Sequence, residues 1–141
     1  MSLSPTGGLR RGTNEITYLL DASAALAIIF DEAGAGRVAE VLADACISSV
    51  NLSEVVAKLH DRSLSERDIE LNLNDLDLNV VAFDEHLARR AATLRPLTRH
   101  VGLSLGDRAC LATAQAGSLT VVTADRAWAN PDLGISVELV R

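Results

Sequence analysis

The chain has 141 residues, 48% of them apolar and only 3% aromatic, and carries a formal net charge of −6. That length suits one domain with a core of Leu, Val, Ile and Ala rather than two, and such a core fits helices layered on a buried sheet. An acidic chain does not hold nucleic acid by general attraction, so a nucleic-acid role needs a local remedy such as bound divalent cations, which reverse the field where a phosphate sits.

Residues 1–14 (MSLSPTGGLRRGTN) offer almost nothing to bury and read as a flexible extension, leaving 15–141 as the folded domain. The run ITYLL from Ile16 is a β-branched and aliphatic strand, closed by Asp21-Ala-Ser and followed by a helical segment from Ala24 to Phe30. Arg37 to Ala43 continues as helix with Val38, Val41 and Leu42 on one face, and Ala45 to Ser48 is a second strand. Asn51 opens a helix through His60. Ile69, Leu73 and Leu76 recur at helical spacing within 65–78, and Asn79 to Phe83 is a third strand. Asp84 caps a helix carrying Leu87, Ala91 and Leu94. Ser104-Leu-Gly-Asp107 starts a helix that Gly117 stops, LTVVT follows as strand four, and Ser136 to Val140 is the fifth. Alternating strands and helices call for an α/β fold with a mainly parallel sheet covered on both faces. The apolar runs are too short to span a bilayer and no secretory core opens the chain, so a cytoplasmic protein is expected. Cys46 and Cys110 read as buried small hydrophobes without a disulfide.

Four acids, Asp21, Glu54, Asp107 and Asp125, stand near expected helix starts. Ser104 with Asp107, and Asn51 with Glu54, have capping-box spacing, and carboxylates in a first turn meet the helix dipole favourably, so each acid taken singly serves equally well as a cap or a ligand. Topology separates the readings, because residues following parallel strands emerge at the carboxyl edge of the sheet, where open α/β folds bind ligands. If the strand order is 3-2-1-4-5, Asp21, Glu54 and Asp125 converge at the crevice beside strand one, Asp107 joins them from a helix start, and Asp84 is left at the edge as a cap. Carboxylates gathered without matching Lys or Arg call for a cation that takes oxygen ligands, Mg²⁺ or Mn²⁺.

In the segments YLLDASAAL, ISSVNLSEVVAKL, GLSLGDRACLATA and VVTADRAW, the chain resembles PIN-domain proteins and, within them, the VapC toxins of bacterial toxin–antitoxin pairs. The likeness spans Ile16 to Arg141. It implies a three-layer α/β/α domain with about five mainly parallel strands in the order 3-2-1-4-5, and an Mg²⁺- or Mn²⁺-dependent endoribonuclease held in check by a cognate antitoxin and commonly paired with itself. Carried over position by position, Asp21, Glu54, Asp107 and Asp125 are the implied metal-binding and catalytic acids, cutting RNA to leave 5′-phosphate and 3′-hydroxyl ends.

Around these acids, Ser23 and Thr123 are placed to hydrogen-bond a carboxylate or a water on the ion, or else to act as a cap and a strand residue. Arg108 and Arg126 are candidates for RNA phosphate, with solvated surface as the alternative, and Trp128 either stacks a base or packs at the domain edge. His60, His86 and His100 fall outside all four motifs and read as surface residues. Three other functions compete. A haloacid-dehalogenase-type phosphatase would want an Asp where Ser23 stands, and both it and a phospho-receiver domain would want a Lys near the site, whereas the single Lys58 lies four positions beyond Glu54. A catalytically silent PIN-like binding module, and a PIN nuclease outside any toxin–antitoxin pair, are the alternatives within the fold. The apolar residues Leu26, Ile28, Ile29 and Phe30, with Val38, Val41 and Leu42, exceed what two short helices readily hide, and some are expected to remain exposed as a protein contact.

Overall fold

A computed structural model describes residues 2–3, 9–11, 14–126, 128 and 133–141. The main sheet has five strands, β4 (Tyr18–Leu20), β5 (Ala45–Ser48), β6 (Asn79–Val81), β7 (Thr120–Thr123) and β8 (Val137–Leu139), in the order β6-β5-β4-β7-β8. In chain order of these strands this is 3-2-1-4-5, and every pairing is parallel. Preceding it, β1 (Ser2–Leu3), β2 (Leu9–Arg11) and β3 (Asn14–Ile16) pair as a small antiparallel sheet. The described residues of the stretch read as an extension therefore hold β1, β2 and the start of β3.

The helices are α1 (Ala22–Ile29), α2 (Ala35–Val41), α3 (Ser49–Asp61), α4 (Glu66–Leu76), α5 (Glu85–Thr98) and α6 (Leu105–Gly117). Alternation along each strand divides them between the faces of the sheet. Leu19, Cys46 and Val121 point to one side, where Cys110, Ala114 and Leu119 cover them. Leu20, Ala45 and Val122 point to the other and meet Ala24, Val38 and Val41, while Ile47 joins Ala25, Val55 and Leu59. The result is a three-layer α/β/α domain with α1 to α4 on one face and α5 and α6 on the other. Each fully buried aliphatic side chain contributes about 1.5–3 kcal/mol.

Several boundaries differ from those read in the sequence. The run from Ile16 to Leu20 is not one strand. Ile16 pairs with Leu9, and the chain changes sheets at Thr17, whose N–H donates to the Asp44 carbonyl while its own carbonyl accepts from Thr120. Gly117 does not stop α6; it is the last helical residue, and Ser118, left-handed at φ 52°, ends the helix. Gly34, at φ 97°, opens α2 where a side chain would collide with Val140, a Cβ falling 2.7 Å from its Cγ2. Leu26, Ile28, Ile29, Phe30 and Leu42 are half-buried rather than exposed, because α3 covers Leu26, Ile29 and Phe30 and the α1–α2 pair encloses Ile28 and Leu42. The exposed large apolar side chains are instead Leu71, Val80, Leu97, Leu105 and Leu139. Cys46 and Cys110 are buried and unbridged, and among the described residues no helix is long and apolar enough to cross a membrane.

Leu19→Ala, at a side chain with no exposure, is expected to cost about 2–5 kcal/mol in urea unfolding. Leu97→Ala, at a position 58% exposed, should stay within about 0.5 kcal/mol of the parent.

Candidate active site

Asp21 is the residue where β4 becomes α1. Its amide donates to the Val122 carbonyl at 3.1 Å, which ties the turn to β7. Its extended backbone makes it the N-cap of α1, with Oδ1 accepting from the Ala24 amide at 2.9 Å. Oδ1 also accepts from the Ser23 hydroxyl at 2.7 Å, and Oδ2 from the Thr123 hydroxyl. Both hydroxyls are oriented by backbone at the end of β7, since Ser23 Oγ accepts from the Ala124 amide and Thr123 Oγ1 from the Asp125 amide. With Asp21 7% exposed, burial raises its pKa above the ordinary 3.8; the hydrogen bonds from Thr123, Ser23 and Ala24 oppose that rise, and the charge of Asp107 adds to it.

Glu54 does not belong to a capping box. The helix starts two residues earlier than Asn51, with Ser48 as N-cap accepting from Val50 at 3.2 Å, so Asn51 and Glu54 are both inside α3. Their three-residue spacing instead places them on one helix face, where Asn51 Nδ2 donates to Glu54 Oε1 at 2.6 Å and to the Gly106 carbonyl at 3.2 Å. Gly106 is where α3 and α6 approach closely: a Cβ there would lie 2.5 Å from Glu54 Oε1.

Asp107 does sit in a capping box, its amide donating to Ser104 Oγ and its Oδ2 accepting from the Ser104 amide, both at 3.1 Å. Its Oδ1 accepts from the Trp128 indole N–H at 2.8 Å. Trp128 is half-buried against α5 and α6, so it packs and holds a candidate ligand at the same time. Asp125 is exposed on the loop after β7, where no helix begins among the described residues. It lines a cleft of about 230 Å³ with Ser23, Leu26, Glu32, Ala124 and Arg141.

Asp21 and Asp107 act on one another electrostatically, and Asn51 ties Glu54 to the Gly106 carbonyl just before Asp107. The buried Cys110 thiol beneath them feels all three: burial pushes it well above its ordinary value, and the charges of Asp21, Asp107 and Glu54 push further. Asp125 stands at the same edge of the sheet, beside Ser23. Asp84 is elsewhere, following the edge strand β6 and capping α5 through the Leu87 amide at 2.9 Å. Arg108 is half-buried with Nε enclosed and unpartnered, whereas Arg126 is exposed with Nε donating to the Arg141 carbonyl at 3.3 Å. His60, His86 and His100 are all exposed, away from the acids. Asn51, Gly106 and the indole bond of Trp128 escape sequence reasoning; only the three-residue spacing of Asn51 and Glu54 signalled a link, and it admits two geometries.

Among the described residues the ion pairs lie elsewhere, at Arg37 with Glu40 and Glu138 and at Arg89 with Glu85. No three acidic, His or Cys side chains among those residues are grouped as a ready-made metal cage. The donor set nonetheless fits a hard divalent cation: it is all carboxylate oxygen, among the described residues no Lys or Arg pairs with Asp21, Glu54 or Asp107, and burial raises the pKa of Asp21.

An open parallel sheet with carboxylates at its carboxyl edge, beside the strand at which the strand order reverses, defines an α/β protein with a candidate acidic site. The PIN domain family model matches residues 18–133, and the chain belongs to that family. Among solved structures it is similar to a chain of the DNA-bound VapBC complex from Salmonella typhimurium, at 22% identity and a TM-score of 0.73 over 89% of this chain and 99% of that one. It is similar also to a toxin–antitoxin complex from Klebsiella pneumoniae, at 22% identity and a TM-score of 0.67 over 89% and 98% of the two chains. A third likeness is to FitAcB from Neisseria gonorrhoeae, at 22% identity and a TM-score of 0.64 over 86% and 96%. Among curated proteins none matches significantly.

Folded Asp21 keeps its proton to a higher pH than the unfolded chain does. Ionising it therefore removes stability from the metal-free fold as pH rises from 3.8 through the raised value. Asp21→Asn is accordingly expected to melt at or slightly above the parent temperature in EDTA at pH 7, an advantage that fades as pH falls toward 3.8. A clear drop at pH 7 would show that the cap outweighs the buried charge. Gly106→Ala should displace the Glu54 carboxylate, the mobile end of a side chain, while Ala favours the helix by up to about 1 kcal/mol. The expected variant melts no lower than the parent yet loses divalent-ion binding in a calorimetric titration.

Proposed function

We propose that the chain is a metal-dependent endoribonuclease acting as the toxin of a type II toxin–antitoxin pair. The observation that carries the reading is that Asp21, Glu54 and Asp107 all act on the one buried Cys110 thiol, with none of the three in an ion pair with Lys or Arg among the described residues, at the carboxyl edge of a parallel sheet. Asp125 completes the set from the β7 loop. A divalent cation, Mg²⁺ or Mn²⁺, when bound there supplies the Lewis acidity that lowers the pKa of an attacking water and offsets charge on the scissile phosphate. Zinc suits the set poorly, because Cys46 and Cys110 are buried in the core and the three histidines are exposed elsewhere.

The chain's own groups have distinct tasks in this reading. Ser23, Thr123 and the Ala24 amide fix the Asp21 carboxylate in one orientation, Asn51 fixes Glu54, and Trp128 with Ser104 fixes Asp107. With its ligands held by neighbours, the site loses little side-chain freedom on binding an ion. Arg141, which lines the Asp125 cleft, and Arg126, which is hydrogen-bonded to Arg141, are the candidates for contact with RNA phosphate. The choice of RNA and of a homodimer rests on the likeness to VapC toxins, and the expectation of a cognate antitoxin is supported by the names of the VapBC and toxin–antitoxin structures.

Cleavage should require Mg²⁺ or Mn²⁺ and stop in EDTA. The products should accept phosphate from a polynucleotide kinase only after phosphatase treatment, as 5′-phosphate ends do; 2′,3′-cyclic phosphate ends would refute this chemistry. Asp21→Asn should abolish cleavage, and Asp84→Asn should retain it, since Asn caps a helix as well as Asp.

A further inference from the structure

We propose that Asn51 is a positioning residue which fixes Glu54 against α6 and so sets the spacing between Glu54 and Asp107 on which cation binding depends. The inference deepens the metal-nuclease reading above and rests on it. Asn51 is 2% exposed, inside a helix, where an amide is a poor helix former and is tolerated only with hydrogen-bond partners. Its Nδ2 has two, Glu54 Oε1 at 2.6 Å and the Gly106 carbonyl at 3.2 Å. Both are acceptors, so the amide cannot be turned over: the opposite orientation would set Oδ1 against a carboxylate and a carbonyl. The short bond to Glu54 is charge-assisted, the strong kind.

The price of this orientation is visible, because Asn51 Oδ1 is buried without a partner. A residue selected for packing alone would not keep an amide that leaves its oxygen unsatisfied, and such exceptions mark functional positions. The second bond explains what Asn51 sets. Gly106 immediately precedes Asp107, so one amide group joins the carboxylate of α3 to the backbone that carries the carboxylate of α6. Glu54 is exposed and has three rotatable side-chain bonds. What confines it is this amide, and the absence of a Cβ at Gly106 leaves the space that its carboxylate fills.

The test measures Mn²⁺ affinity by electron paramagnetic resonance, alongside thermal unfolding, for the full chain, Asn51→Ala, Glu54→Gln and the double variant. Asn51→Ala is expected to weaken Mn²⁺ binding by about 10–100-fold, with kcat for RNA falling and KM little changed. In the Glu54→Gln background the same substitution should change Mn²⁺ affinity by less than about twofold, the non-additivity of two residues that act as one. Should Asn51→Ala fail to fold, Asn51→Ser, too short to bridge both acceptors, carries the same measurement. Mn²⁺ affinity unchanged in a folded Asn51 variant, or weakened equally with and without Glu54, would overturn the inference and leave the nuclease reading standing. A parent chain that binds no Mn²⁺ would overturn that reading and this inference together.

Discussion

Asp21 carries a carboxylate into a place from which folding ordinarily excludes charge, and the site is organised around making that tolerable. Two hydroxyls and a backbone amide face its two oxygens, and each hydroxyl is itself aimed by a backbone N–H at the end of β7. The group therefore reaches across from β4, the central strand, to its neighbour β7, and closes the junction between them. Burial still prevails over these bonds, since the pKa remains raised. The arrangement accordingly holds the geometry firmly and leaves an electrostatic demand that the polypeptide does not meet.

The same compromise recurs at the other acids in different materials. Asp107 is held by its own helix start and by an indole from a distant loop, and Glu54 by an amide one helical turn before it. In each case the neighbour is an uncharged donor. Neutral donors orient a carboxylate without supplying the opposite charge that would offset it. A Lys or Arg in any of these places would have given a more comfortable fold and a weaker cation site. Helix capping and ligand placement are thus not rival explanations here: at Asp21 and Asp107 the cap bond fixes the direction in which the remaining lone pairs point.

Much of this was legible in the chain because strand and helix periods are local. The alternation of Leu19 with Leu20, Cys46 with Ile47 and Val121 with Val122 assigns faces to a sheet, and the strand order then brings the acids to one edge. Less legible was whatever depended on contact between segments. Asn51 and Glu54 have a spacing common to a capping box and to one helix face, and only the N-cap at Ser48 decides between them. Ile16 looks continuous with Tyr18 until Leu9 takes it as a partner. Ser118 adopts a left-handed backbone usually left to glycine, so the true end of α6 was hidden behind the preceding Gly117. The apolar side chains of α1 look excessive for one sheet face until α3 folds over them.

Trp128 gives the molecule an optical property of its own. It is the single tryptophan, and its indole N–H rests on Asp107 Oδ1. The excited indole is sensitive to the charge beside its nitrogen, so neutralising Asp107 changes the field on the only strong fluorophore in the chain. A cation approaching that oxygen must compete with the indole proton, or share the carboxylate with it. Emission from the unlabelled protein is therefore sensitive to the charge state of one carboxylate as well as to the packing of the indole against α5 and α6.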